Sequence, residues 1–84
     1  MSLIDRHIGA RIRLRRVSLG LTQDEVARAL RASPDAVAGY EAGERHVPVA
    51  TLCALARLFE VELSFFFETA LAALEREAPA ATRH

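Results

Sequence analysis

Apolar positions recur along this chain at helical spacing and do not alternate as they would in a strand. Ile4, Ile8 and Ile12 form a ridge at i, i+4 and i+8, closed by Val17 or Leu19. The ridge predicts a first helix from near Ser2 to about Ser18, with Gly20 ending it. Ser2 precedes Asp5 at capping-box spacing, and Gly9 beside the ridge would let a neighbouring helix come close. From Val49 to Phe59 the chain is apolar almost all round, which predicts a central core helix. A last helix is expected after the Ser64 cap, running to about Glu77. Its Phe67, Leu71 and Leu74 make one stripe bordered by Phe66 and Ala70, and Phe65 is left over. A surplus aromatic there points to a dimer interface of Phe65, Leu71 and Leu74; the plainer alternative is a ring packed on a loop.

Between these helices lies Leu21–Gly43, which reads as two short helices joined by a tight turn. Thr22 and Glu25 form a capping box ahead of a helix from Gln23 to Leu30, with Leu21 as its hydrophobic staple. Ser33 is a good N-cap, and Pro34 falls on the first position of a helix to Ala42, where a missing amide costs nothing. Ala27, Leu30, Val37 and Tyr40 give this pair its apolar contacts, and Gly43 suits a left-handed stop. The second helix then exposes Asp35, Ala36, Ala38, Gly39 and Ala42. Helix, turn, helix over residues 22–43 is a layout that often places its second helix in the DNA major groove. Loop Glu44–Val49 exposes Arg45 and His46, and its Pro48 fixes the start of the next helix.

Charge sharpens this picture. The net charge is zero, yet residues 1–20 carry Arg6, Arg11, Arg13, Arg15 and Arg16 against Asp5 alone. Residues 60–77 carry five glutamates against Arg76. A basic front and an acidic rear fit one face for phosphates and another for something else; solvated helix faces are the plain alternative. Arg11, Arg13 and Arg15 spread over the faces opposite the ridge, so at least two should reach solvent. Gln23, on the first turn of its helix beside free amides, suits a phosphate clamp.

Other chemistry is scarce. The length of 84 residues suits one all-α domain over 1–78, followed by a flexible tail over 79–84. Cys53, among Leu52, Ala54 and Leu55, reads as a small buried hydrophobe, and a single cysteine offers no disulfide framework. His46 has no second His or Cys at ligand spacing, so no metal and no cofactor are expected; it suits a phosphate contact or an ordinary loop equally. No paired-carboxylate pocket, nucleophile–histidine set or phosphate-cradling glycine loop is present, so an enzyme is not expected. No apolar run approaches the ~20 residues of a membrane span, and no signal peptide is visible, which places the chain in the cytoplasm.

The segments IGARIRLRR, LTQDEVARAL, YEAGERHVP and LARLFEVELSFFFE, in this order, resemble the Cro/repressor (XRE-type) helix-turn-helix family. The resemblance spans about Ile8 to Glu68 and is nearest to short single-domain bacterial transcriptional regulators. It implies a five-helix lambda-repressor-like fold and a homodimer on palindromic double-stranded DNA. It further implies an Arg16–Glu41 ion pair between helix one and helix three, and a phosphate-clamping role for Gln23.

The departures from the family fall on the recognition helix. Pro34, Asp35, Ala36, Ala38 and Gly39 stand where such proteins usually carry Gln, Ser, Lys, Arg or Asn. Ala36 could touch a thymine methyl and Asp35 could accept from cytosine, but no side chain from Ser33 to Ala42 offers a bidentate pair worth ~1–3 kcal/mol of discrimination. Gly39 weakens its helix by ~1 kcal/mol relative to Ala. Arg31 takes the place of the usual turn glycine and needs a left-handed backbone. The expectation is therefore a DNA-binding regulator with weak or shape-based readout. Its contacts would come from Gln23, Ser33, Asp35, Ala36, Gly39, Arg45 and His46, with Arg11 or Arg13. The rival is a protein-interaction module of the same fold that has lost operator binding and pairs with a related regulator.

Overall fold

A computed structural model describes residues 2–68; Leu71, Leu74 and the expected tail lie outside the described residues. Four α-helices are present among them, α1 Leu3–Ser18, α2 Gln23–Leu30, α3 Pro34–Ala42 and α4 Val49–Phe59, followed by a 3-10 segment Leu63–Phe67. The caps work as their residue types dictate. Ser2 Oγ accepts from the Asp5 amide at 2.9 Å, but the Asp5 carboxylate turns to His46 Nδ1 at 3.0 Å, so only half of that box forms. The Thr22–Glu25 box is complete, with both of its hydrogen bonds made. Ser33 Oγ accepts from the Ala36 amide at 3.1 Å, and Pro34 opens α3.

Helices α2, α3 and α4 each end in a left-handed residue. Gly43 (φ 74°) closes α3, but Arg31 (φ 57°) closes α2 and Glu60 (φ 57°) closes α4 without glycine's freedom. At both of these residues the backbone is held by carbonyls of the preceding helix: Ala32 N–H donates to Ala27 at 2.8 Å and Val61 N–H to Ala56 at 3.0 Å.

The core joins Ile8 and Ile12 of α1, Val26 and Ala27 of α2, Val37 of α3, Val47 of the loop, Leu52, Leu55, Ala56 and Phe59 of α4, and Phe66. Helix α1 is the element that α3, α4 and the 3-10 segment all pack against, so it shares the central position expected for α4 alone. Gly9 allows this: a Cβ there would strike the Tyr40 carbonyl oxygen and stand 2.6 Å from that of Glu41. Burial of the apolar ridge is limited to the middle of α1, at Ile8 and Ile12. Ile4 at one end and Val17 and Leu19 at the other are exposed, so the apolar ridge is shorter than its spacing suggests. Cys53, in the middle of α4, is half-buried rather than fully inside the core.

The largest difference concerns residues 63–67. They form a 3-10 segment entered at Leu63, and Ser64 caps nothing. Phe66 is fully buried, tilted against Phe59 at 6.4 Å between ring centroids, and Phe67 is exposed. With i and i+3 eclipsed in a 3-10 turn, the inward phase differs from that of an α-helix. Phe65 stands edge-on to Phe66 at 5.5 Å with the Arg11 guanidinium 4.0 Å over its ring. The leftover ring is thus engaged within its own chain.

Candidate nucleic-acid interface

The start of α2 and the outward side of α3 meet the last turns of α1 in a cleft of ≈ 300 Å³ lined by Arg13, Arg16, Gln23, Ala38, Glu41 and Ala42. At its floor Arg16 Nε and Nη2 donate to the two oxygens of Glu41 at 2.5 and 3.0 Å, and Nη1 donates to the Leu21 carbonyl at 2.8 Å. The Glu41 hydrogen bond, ahead of the partial burial that opposes it, raises the Arg16 guanidinium further above its already high range. Gln23 Nε2 donates to Glu41 at 3.1 Å. One amide hydrogen of Gln23 is so fixed and the other stays available, which is what a clamp for an anion at a helix N-terminus requires.

The other expected contacts divide. Ser33, Asp35, Arg45 and His46 are exposed on or beside α3, and Arg13 is exposed on α1. Ala36 and Gly39 are buried, contrary to the outward placement expected for them. Ala36 turns towards the core with Val37, and Gly39 lies under the stem of Arg45. Arg11 is also diverted. Its Nε donates to the Phe65 carbonyl at 3.0 Å and its Nη2 to Glu68 at 2.9 Å, so it serves the packing of the 3-10 segment. Arg15 likewise donates to the Phe59 carbonyl at 3.1 Å. Of these three arginines only Arg13 is exposed, because residues two apart on a helix point ~200° apart and the flank of α1 bearing Arg11 and Arg15 is covered.

The Arg45–Gly39 contact escapes a residue-by-residue reading. A Cβ on Gly39 would lie 2.9 Å from Arg45 Cγ and Cδ. The signal for it is a glycine inside a helix six residues before an arginine that follows a chain reversal. Arg13 and Arg45 have no ion pair among the described residues, so two uncompensated charges flank α3. No group of three or more His, Cys, Asp or Glu among the described residues could hold a metal ion. No described helix is long and apolar enough to cross a membrane.

Comparison with known proteins agrees with this layout. A family model described as a helix-turn-helix domain matches residues 7–64. An HTH-type transcriptional regulator of Sinorhizobium medicae (strain WSM419) is 39% identical over 67 residues, covering 80% of this chain and 48% of that protein. The chain therefore spans about half the length of that relative. The restriction-modification controller protein C.AhdI from Aeromonas hydrophila superposes with a TM-score of 0.70 at 29% identity, covering 74% of this chain and 94% of its own. The hypothetical transcription factor NHTF from Neisseria shares the fold, with a TM-score of 0.80 at 19% identity over 87% of this chain and 84% of its own. Capped α2 and α3, the Arg16–Glu41 pair and these matches together place the chain in the helix-turn-helix family of Cro/repressor (XRE) type.

Proposed function

We propose that this chain is a transcriptional regulator that binds duplex DNA as a small dimer, with weak or shape-based readout. The observation that carries the reading is the Arg16–Glu41–Gln23 chain of hydrogen bonds at the N-terminus of α2, with Arg13 in the same cleft and Arg45 on α3. Gln23, Ser33, Arg13, Arg45 and His46 supply backbone contacts, which position a protein on DNA without reading bases. Asp35 is the exposed charged group of α3, and its repulsion of phosphates keeps affinity modest. The sequence-selective part then rests on groove shape and few direct contacts.

Amide NMR mapping with a duplex of mixed sequence tests this. Perturbations are expected at residues 22–24, at Ser33 and Asp35, and at residues 43–46. Perturbations confined to the flank of α1 and the 3-10 segment would contradict it and support the rival reading, an interaction module that pairs with a related regulator. The bare outward side of α3 and the exposed Leu14 and Val17 on α1 favour that rival.

The dimer contact is proposed for Leu71, Leu74 and the edge of Phe65 left open by Arg11, joined by the exposed Phe67. Light scattering on Phe67→Glu checks it: a fall to monomer mass is expected, and an unchanged dimer would exclude this surface. On this reading the protein would work in the cytoplasm, and binding of this kind would require no cofactor or metal.

A further inference from the structure

Helix α3 presents Asp35, Ala38 and Ala42 outward, and none of these can donate a hydrogen bond to a base edge. A donor reaches this side from the following loop. After Gly43 the chain reverses, and both Glu44 N–H (2.9 Å) and Arg45 N–H (3.2 Å) donate to the Gly39 carbonyl. The Arg45 stem then lies across the bare Cα of Gly39, where a Cβ would come within 2.9 Å of Cγ and Cδ and 3.2 Å of Nε. Gly39 follows Asp35 by one helical turn, so the stem crosses the edge of the outward side. The stem is fixed at its base, yet the guanidinium has no hydrogen bond or ion pair among the described residues. A preorganised arm with an uncommitted, forked head is suited to bidentate recognition.

We infer that Arg45, carried over Gly39, is the base-reading residue of this protein, directed at the O6 and N7 acceptors of a guanine in the major groove. The glycine that leaves α3 without a side chain makes the room for an arginine from outside the helix. This rests on the proposed binding of duplex DNA, and it replaces a phosphate-contact role for Arg45 with a specificity-determining one.

Selection from a randomised duplex pool, followed by affinity measurements on the selected and single-base-changed duplexes, tests the assignment. The wild-type protein is expected to enrich a site with one dominant G·C pair per half-site. In Arg45→Ala the preference at that pair is expected to fall about 5- to 150-fold, with binding to random duplex weakened but still salt-dependent. Arg45→Lys keeps the charge but not the fork and is expected to restore binding without the preference. Gly39→Ala favours the helix, yet its Cβ must displace the arm; loss of the same preference with helicity retained by circular dichroism is expected. An Arg45→Ala protein that enriches the same site with uniformly weaker affinity overturns the assignment and makes Arg45 a phosphate contact. If the wild-type protein itself retains no DNA at low salt, the DNA-binding reading fails, and this inference fails with it.

Discussion

Arg16 grips Glu41 through two hydrogen bonds of 2.5 and 3.0 Å, and the same carboxylate holds Gln23. One ion pair thus ties α1 to the end of α3 and aims a side chain of α2. Its two members are only 12% and 4% exposed, so removing one strands a largely desolvated charge. Arg16→Met is expected to destabilise the fold by about 3 kcal/mol. That is a large share of the roughly 4–12 kcal/mol available to a chain of this size. Urea midpoints measure it. A change below ~0.5 kcal/mol would show the pair to be a surface contact.

Gly9 makes the close approach of α1 and α3 possible. Alanine favours a helix over glycine by about 1 kcal/mol, so a free helical site would gain from Gly9→Ala. Here the added Cβ meets the backbone of Tyr40 and Glu41, which cannot swing aside. A net loss of about 1–3 kcal/mol is expected by thermal or urea unfolding. A stabilised variant would mean that the helices are further apart than the structure places them.

Arg31 and Glu60 hold left-handed backbone at φ 57° without glycine. Arg31→Gly and Glu60→Gly are each expected to relieve about 1 kcal/mol of strain, offset in part by the greater freedom of the unfolded chain. Equal or slightly higher melting temperatures are the expected outcome, against clear losses for glycine at exposed sites inside α1.

Acid acts on Glu25. Its backbone hydrogen bond from Thr22, joined by the side-chain one, holds the carboxyl below the usual carboxylate range. A depressed folded-state value means the contribution is present above the unfolded pKa of about 4.3 and is lost as pH falls through the folded one. Stability curves of the wild type and Glu25→Gln, measured from pH 7 to pH 2, are expected to differ at neutral pH and to converge at the acid end. A gap that widens on acidification would contradict the capping geometry.

Local rules made the scaffold legible. Thr22 with Glu25, Ser33 with Pro34, and Gly43 act within one helical turn, so their hydrogen bonds follow from residue type and spacing. The phenylalanines were not legible in this way. Which of Phe65, Phe66 and Phe67 is inward depends on how the chain leaves the left-handed Glu60 and on whether a 3-10 or an α turn follows. The arginines of α1 pose a similar problem. Arg11 and Arg13 look equivalent in sequence, and only the docking of Phe65 and Glu68 turns one inward and leaves the other exposed. Gly39 read as a weak point in a recognition helix, because the arm that covers it comes from beyond the next turn.

Binding to DNA is tested most directly by its salt dependence. With Arg13 uncompensated at the cleft and Arg45 carried towards the groove, the proposed dimer brings about four free positive charges to the duplex, and log K is expected to fall with log salt at a slope of about −4. The measurement is a titration of a fluorescent mixed-sequence duplex at several salt concentrations. A slope near that value, reduced by about half in Arg13→Ala, is the expected result. No binding at low salt, or an affinity indifferent to salt, would contradict the assignment of this face to nucleic acid.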